Sequence, residues 1–112
     1  MALLTREEIV EALERLGELA QSQGQHIELV AVGGAVMVLA YNARQATHDI
    51  DVAILSPREA RIVRDLAKKV AAERGWAEDW LNDGAKGYLV GISAGDVIFS
   101  ATGIEVRAPT VE

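Results

Sequence analysis

The stretch Thr47-His48-Asp49-Ile50-Asp51-Val52 constrains this chain more than any other. Ile50, then Val52, Ala53 and Ile54, mark a strand that belongs to a buried sheet. Strand side chains alternate with period two, so Asp49 and Asp51 are expected on one face of it. Two neighbouring carboxylates beside a core are costly unless a positive group sits between them. A divalent metal ion answers that need, and so does a side chain such as Arg44. Just upstream, Val32-Gly33-Gly34-Ala35 places a glycine pair where a helix opens. Glycine there lets phosphate approach the backbone without a side chain in the way. Together the two stretches point to a metal-and-nucleotide site.

Around them the periodicities lay out a small α/β (α+β) chain. Thr5-Arg6-Glu7-Glu8 is a capping box, and Ile9, Leu13, Leu16 and Ala20 then recur on one helical face that Gly24 ends. Ile27 to Val32 reads as a short buried strand, and Gly34 to about Asn42 as a helix that is apolar all round. Asn42 to Thr47 is a polar connection, and Asp49 to Leu55 is the next strand. Ser56-Pro57-Arg58-Glu59 has the form of a second capping box with proline in first helical position. It predicts a long helix to Gly75 with Ile62, Val63, Leu66, Ala67 and Val70 facing inward. Trp76 to Asp83 carries no period and reads as a loop or single turn, its two tryptophans packing over the sheet end. Gly84 to Gly95 is dotted with glycine. Asp96 to Ser100 and Ile104 to Arg107 read as two short strands around Ala101-Thr102-Gly103. This order predicts one small mixed sheet with flanking helices, a single domain over residues 1–112.

Composition excludes several functions. Half of the residues are apolar and a quarter are charged, as in globular rather than disordered chains. The net charge of −6 argues against nonspecific nucleic-acid binding, which needs a basic footprint. Without cysteine there is no disulfide, thiolate nucleophile or cysteine-ligated zinc. Val30 to Tyr41 is too short to cross a bilayer, and Arg6, Glu7 and Glu8 do not open a signal peptide. A soluble cytoplasmic protein with no membrane partner is expected. Glu7, Glu11, Glu14 and Glu18 line the first helix, whereas Arg61, Arg64 and Lys68 line the long one. Such rows are solvated faces by default, but their complementarity suggests a homodimer. Its main contact is expected near Ile98, Phe99 and Ile104, with charge pairing secondary.

Gly33-Gly34 followed by Asp49-Ile50-Asp51 resembles the signature of the polymerase-beta-like nucleotidyltransferase fold. The nearer likeness is to a bacterial branch of small nucleotidyltransferase-like proteins, related to abortive-infection toxins. That branch reads roughly Gly-Gly-x-Ala, then Arg-x-Thr-x-Asp-Ile-Asp. Arg44, Thr47, Asp49, Ile50 and Asp51 match it, with one extra residue between the arginine and the threonine. Asp79-Trp80-Leu81-Asn82-Asp83 is similar to the segment that follows the branch's long helix, and the likeness runs over roughly residues 28 to 108.

The resemblance implies a minimal nucleotidyltransferase fold that binds a nucleoside triphosphate with Mg2+ and transfers a nucleotide to a hydroxyl of a protein, RNA or small molecule. On that reading Asp49 and Asp51 hold metal and act in catalysis. Glu105, with Asp96 behind it, supplies the family's third carboxylate. Gly33 and Gly34 meet the triphosphate through their backbone, and Arg44 or Thr47 adds a phosphate or strand-end contact. Relatives continue past the position of Glu112 into a lysine-bearing helix, so the resemblance also implies a C-terminal truncation. The alternative is a degenerate, non-catalytic copy of the fold, a binding or regulatory module of a toxin–antitoxin or phage-defence system. Blander readings stand beside both: a simple tight turn at Gly33-Gly34, an Asp51–Arg44 ion pair, and surface positions for His26 and His48.

Overall fold

A computed structural model describes residues 3–40, 46–84 and 93–110. Its elements in chain order are β1 (Leu4–Thr5), α1 (Arg6–Ser22), β2 (Ile27–Val32), α2 (Gly34–Leu39) and β3 (Ala46–Thr47). Then follow β4 (Ile50–Ser56), α3 (Ala60–Arg74), β5 (Leu81–Asn82), β6 (Ser93–Ala101) and β7 (Ile104–Thr110). The result is a small mixed α+β fold: a five-stranded sheet in the order β5-β4-β2-β7-β6, three helices, and a two-stranded β1-β3 pair. β2 runs antiparallel to β4 and parallel to β7, and β5 runs parallel to β4. The parallel pairs need crossovers, which α3 provides between β4 and β5. No described helix is long and apolar enough to cross a membrane.

Register sorts the strand residues onto two faces. Ala31 is level with Val52, Ile27 with Ile104 and Leu29 with Val106. These residues form one core with Ile9, Leu13 and Leu16 of α1 and Val63, Leu66 and Val70 of α3. The intervening residues face the other way: Val32 is level with Asp51, Glu28 with Glu105 and Val30 with Arg107. α1 starts as its sequence predicts. The Thr5 hydroxyl accepts the Glu8 amide at 3.2 Å, and the Glu8 carboxylate accepts the Thr5 amide at 3.0 Å. Its far half rests on the β6–β7 turn, where Gly17 has no room for a Cβ against the Thr102 carbonyl oxygen and Ile104.

Three expectations need correction. Ser56 does not cap α3: it is the last residue of β4, and its hydroxyl donates to the His26 carbonyl oxygen at 3.2 Å. The helix begins at Ala60 with Glu59 as N-cap and no side-chain cap bond. Asp49 precedes β4 rather than opening it. Ile104 is fully buried against its own core, and Ile98 and Phe99 pack partly on that core, so Ile104 offers no surface to a second copy. α1 and α3 are ion-paired within the chain, through residues of which only Glu11 belongs to the two charge rows. Arg15 of α1 donates to Glu73 of α3 at 3.0 Å, and Arg74 of α3 donates to Glu11 of α1 at 3.1 Å.

Candidate functional site

The glycine pair and the aspartates converge at one end of the sheet. β2 ends at Val32, whose register partner on β4 is Asp51, and the chain then turns through Gly33 into α2. Gly33 takes φ +63°, a conformation in which any side chain would be strained. It caps α2 without a side-chain hydrogen bond, and its neighbour Val32 is the residue level with Asp51. On the opposite flank of β4, Asp51 is level with Asn82 of β5.

The approach to β4 is pinned from two sides. Thr47 pairs with Leu4 in the β1-β3 sheet, and its hydroxyl donates to the Asp49 carbonyl oxygen at 3.1 Å. Thr47 is only 5% exposed, so its hydroxyl shapes the turn that carries the first aspartate. One residue on, the Ile50 amide donates to the Trp80 carbonyl oxygen at 2.8 Å and fixes the start of the strand. Asp49 and Asp51 are both half-buried, and His48 between Thr47 and Asp49 is exposed. Burial pushes the Asp51 carboxyl above its ordinary range, and the nearby charge of Asp49 pushes it further. The two carboxylates therefore repel each other at a partly desolvated sheet end.

Glu105 lies elsewhere. It shares the face of Asp51, but it is level with Glu28, four residues along β2 from Val32. At the rise of a strand this is about 13 Å. There it is an ion-pair partner: Arg107 donates to Glu105 at 3.3 Å, to Glu28 at 3.1 Å and to the Gly95 carbonyl oxygen at 3.0 Å. Asp96 is exposed on β6. Among the described residues no group of three or more histidines, aspartates or glutamates is placed to hold a metal ion. Arg44 lies outside the described residues.

Asn82 is the neighbour of Asp51 that sequence reasoning missed. β5 is two residues long, too short to show a period, and the only signal for it was the likeness of the Asp79–Asp83 segment to the family. What holds that segment is Trp80. It is fully buried, its Nε1 donates to the Ala67 carbonyl oxygen at 2.8 Å, and its ring meets Trp76 edge to face at 5.5 Å. Packing is thus the role of this tryptophan.

No curated protein and no solved structure matches the chain. A protein-family model does, over residues 6–98, which takes in the glycine pair, both aspartates and Asn82. The chain belongs to that family, described as nucleotidyl transferase of unknown function (DUF2204).

Proposed function

We propose that the sheet end at Asp49 and Asp51 binds a nucleoside triphosphate with Mg2+ and transfers a nucleotide to a hydroxyl acceptor. The observation that carries this reading is the placement of two half-buried carboxylates, Asp49 and Asp51, at the sheet end where Val32 leads into the Gly33-Gly34 turn. Folding that leaves two like charges opposed and half-buried makes sense where a cation completes the site. Carboxylate oxygens are the hard donors that Mg2+ takes, and further oxygen ligands would come from phosphate. When bound, the ion would balance charge on the phosphates and favour the ionised acceptor hydroxyl. Gly33 and Gly34 would let the triphosphate lie against backbone, and Asp49 and Asp51 would orient it from one side. Arg44 is proposed as a phosphate contact. Thr47 acts one step back, holding the Asp49 turn.

One observation favours a second reading, a binding or regulatory module without turnover. Glu105 is engaged by Arg107 rather than aimed at the aspartates. Thermal unfolding separates nucleotide binding from its absence. A ligand that binds only the native state at 100 times its Kd adds about 2.7 kcal/mol of stability. Triphosphate with millimolar Mg2+ is expected to raise the midpoint, and Asp51→Asn or a chelator to abolish the rise. An unchanged midpoint with every nucleotide would end the nucleotide reading, and a rise without pyrophosphate release would select the module.

A further inference from the structure

Asp51 has two register partners, and they differ in what they can offer a ligand. Val32 on the β2 side is apolar and leads into the Gly33-Gly34 turn, whereas Asn82 on the β5 side is polar. Leu81, level with Ile50, lies in the helix-covered core. Strand side chains alternate, so Asn82 stands with Asp51 on the opposite face, the one that carries the candidate site. Neighbouring strands lie about 4.8 Å apart, which makes the two side chains immediate neighbours.

The chain on either side of Asn82 is held in place. The Trp80 carbonyl oxygen accepts the Ile50 amide at 2.8 Å, the Trp80 indole donates to the Ala67 carbonyl oxygen, and Leu81 is buried. Asp83 accepts from Arg64 of α3 at 2.7 Å. The Asn82 side chain is itself fixed, because its Oδ1 accepts the Gly84 amide at 2.8 Å. That bond assigns the two ends of the carboxamide: the oxygen faces Gly84, and the nitrogen is the end left over. An amide nitrogen donates two hydrogens and accepts none. Among the described residues nothing accepts from Asn82 Nδ2, and nothing donates to the Asp51 carboxylate. A donor and an acceptor thus stand side by side without bonding each other.

The chemistry of the row says which ligand group uses that donor. A phosphate oxygen only accepts and is repelled by Asp49 and Asp51, so it needs a cation or a donor in order to lie beside them. A hydroxyl is already served by the carboxylates, because it can donate to them. Along the row Asn82–Asp51–Val32 the side-chain donor is Asn82. We propose that Asn82 is a phosphate-binding residue, its Nδ2 donating to a phosphate oxygen of the triphosphate on the side of Asp51 opposite Gly33-Gly34. The proposal rests on the reading of triphosphate binding at Asp49 and Asp51, and it gives that site a second wall. Because β4 lies between β5 and β2, a ligand that touches both walls passes over Asp51.

Two substitutions separate this role from the turn that Asn82 also holds. Asn82→Asp keeps an oxygen for the Gly84 amide but has no N–H to donate, and Asn82→Ala loses both. Isothermal titration with Mg2+ and each of the four ribonucleoside triphosphates, and with Mg2+ and inorganic triphosphate, reads phosphate binding. Titration with Mn2+ alone reads the aspartates. Both variants are expected to bind every triphosphate, the inorganic one included, about tenfold to a hundredfold more weakly, the factor for one lost hydrogen bond to a charged group. Mn2+ alone should bind Asn82→Ala as it binds wild type, and only Asn82→Ala should lower the unfolding midpoint. Full triphosphate affinity in Asn82→Asp would overturn the proposal and leave Asn82 a turn residue. Full affinity in Asn82→Ala would overturn it as well, because any loss in Asn82→Asp would then come from the added charge. A loss confined to the nucleosides would move the contact to sugar or base, and an equal loss of Mn2+ in Asn82→Ala would move it to the metal; either overturns the phosphate contact. Wild-type protein that binds no triphosphate would remove the nucleotide reading itself, and the role of Asn82 with it.

Discussion

The face of the sheet away from the helices handles carboxylates in two ways, and the contrast separates structure from function. At one end Glu28 and Glu105 share Arg107, so two acids and a base satisfy one another with an added bond to the Gly95 carbonyl oxygen. At the other end Asp49 and Asp51 repel, and no described cation offsets them. Both pairs lie at similar, partial burial on the same small sheet. The chain thus neutralises acids where they serve the fold, and leaves two opposed where a ligand would complete them. The helix-covered face, by comparison, buries apolar side chains from every strand of the β4-β2-β7 centre and carries the stability that such a site draws on.

The largest effect is expected on that covered face. Leu16 is fully buried at the centre of α1, against the sheet. Leu16→Ala should cost about 2–5 kcal/mol, the loss of transfer free energy plus an imperfectly closed cavity. Urea unfolding measures it. A loss under about 1 kcal/mol would mean that α1 is a peripheral cover rather than half of the core.

A smaller loss is expected where the acids are satisfied. Arg107→Leu keeps the aliphatic bulk but leaves Glu28 and Glu105 half-buried and facing each other, for a cost of about 1–3 kcal/mol. Adding Glu105→Gln should recover part of that loss, because it relieves the repulsion. Triphosphate binding at the other end should be unaffected in both variants. If Arg107→Leu and Glu105→Gln instead lose the thermal response to triphosphate with Mg2+, Glu105 belongs to the site after all and the contrast between the two ends collapses.

Long-period signals carried most of the fold. The capping box at Thr5 and the helical face of Ile9, Leu13, Leu16 and Ala20 are found as read, since seventeen residues of α1 repeat one pattern. The short elements left no such signal: β1, β3 and β5 have two residues each, and what makes them strands is a partner distant in sequence. Ser56-Pro57-Arg58-Glu59 misled for a related reason. Its composition fits a cap, but the Ser56 hydroxyl is claimed by His26, thirty residues upstream, which no local pattern encodes. At the candidate site, the period-two reading brought Asp51 next to Gly33-Gly34. It could not tell that Glu105 lies at the far end of the same face, because register between strands is set by tertiary packing.

The smallest effect has the opposite sign. Asp51 is held above its unfolded value, about 3.9 for an aspartate, first by burial and then by Asp49. Between the unfolded and folded values the native state binds more protons than the unfolded chain. The stability this proton contributes is therefore fully present below the unfolded value and is lost as pH rises through the folded one. Asp51→Asn removes the charge without changing shape, so in metal-free buffer near neutrality it should stabilise the protein, by up to about 1 kcal/mol. Wild type and variant should converge in stability as pH is lowered to about 3 and below, where the wild-type carboxyl is protonated in both states. Thermal unfolding at a series of pH values, with chelator present, reads the difference directly. A variant less stable than wild type at neutral pH would mean that the Asp51 carboxylate already has a partner in the protein. The two ends of the face would then be alike, and the case for a cation between Asp49 and Asp51 would fall.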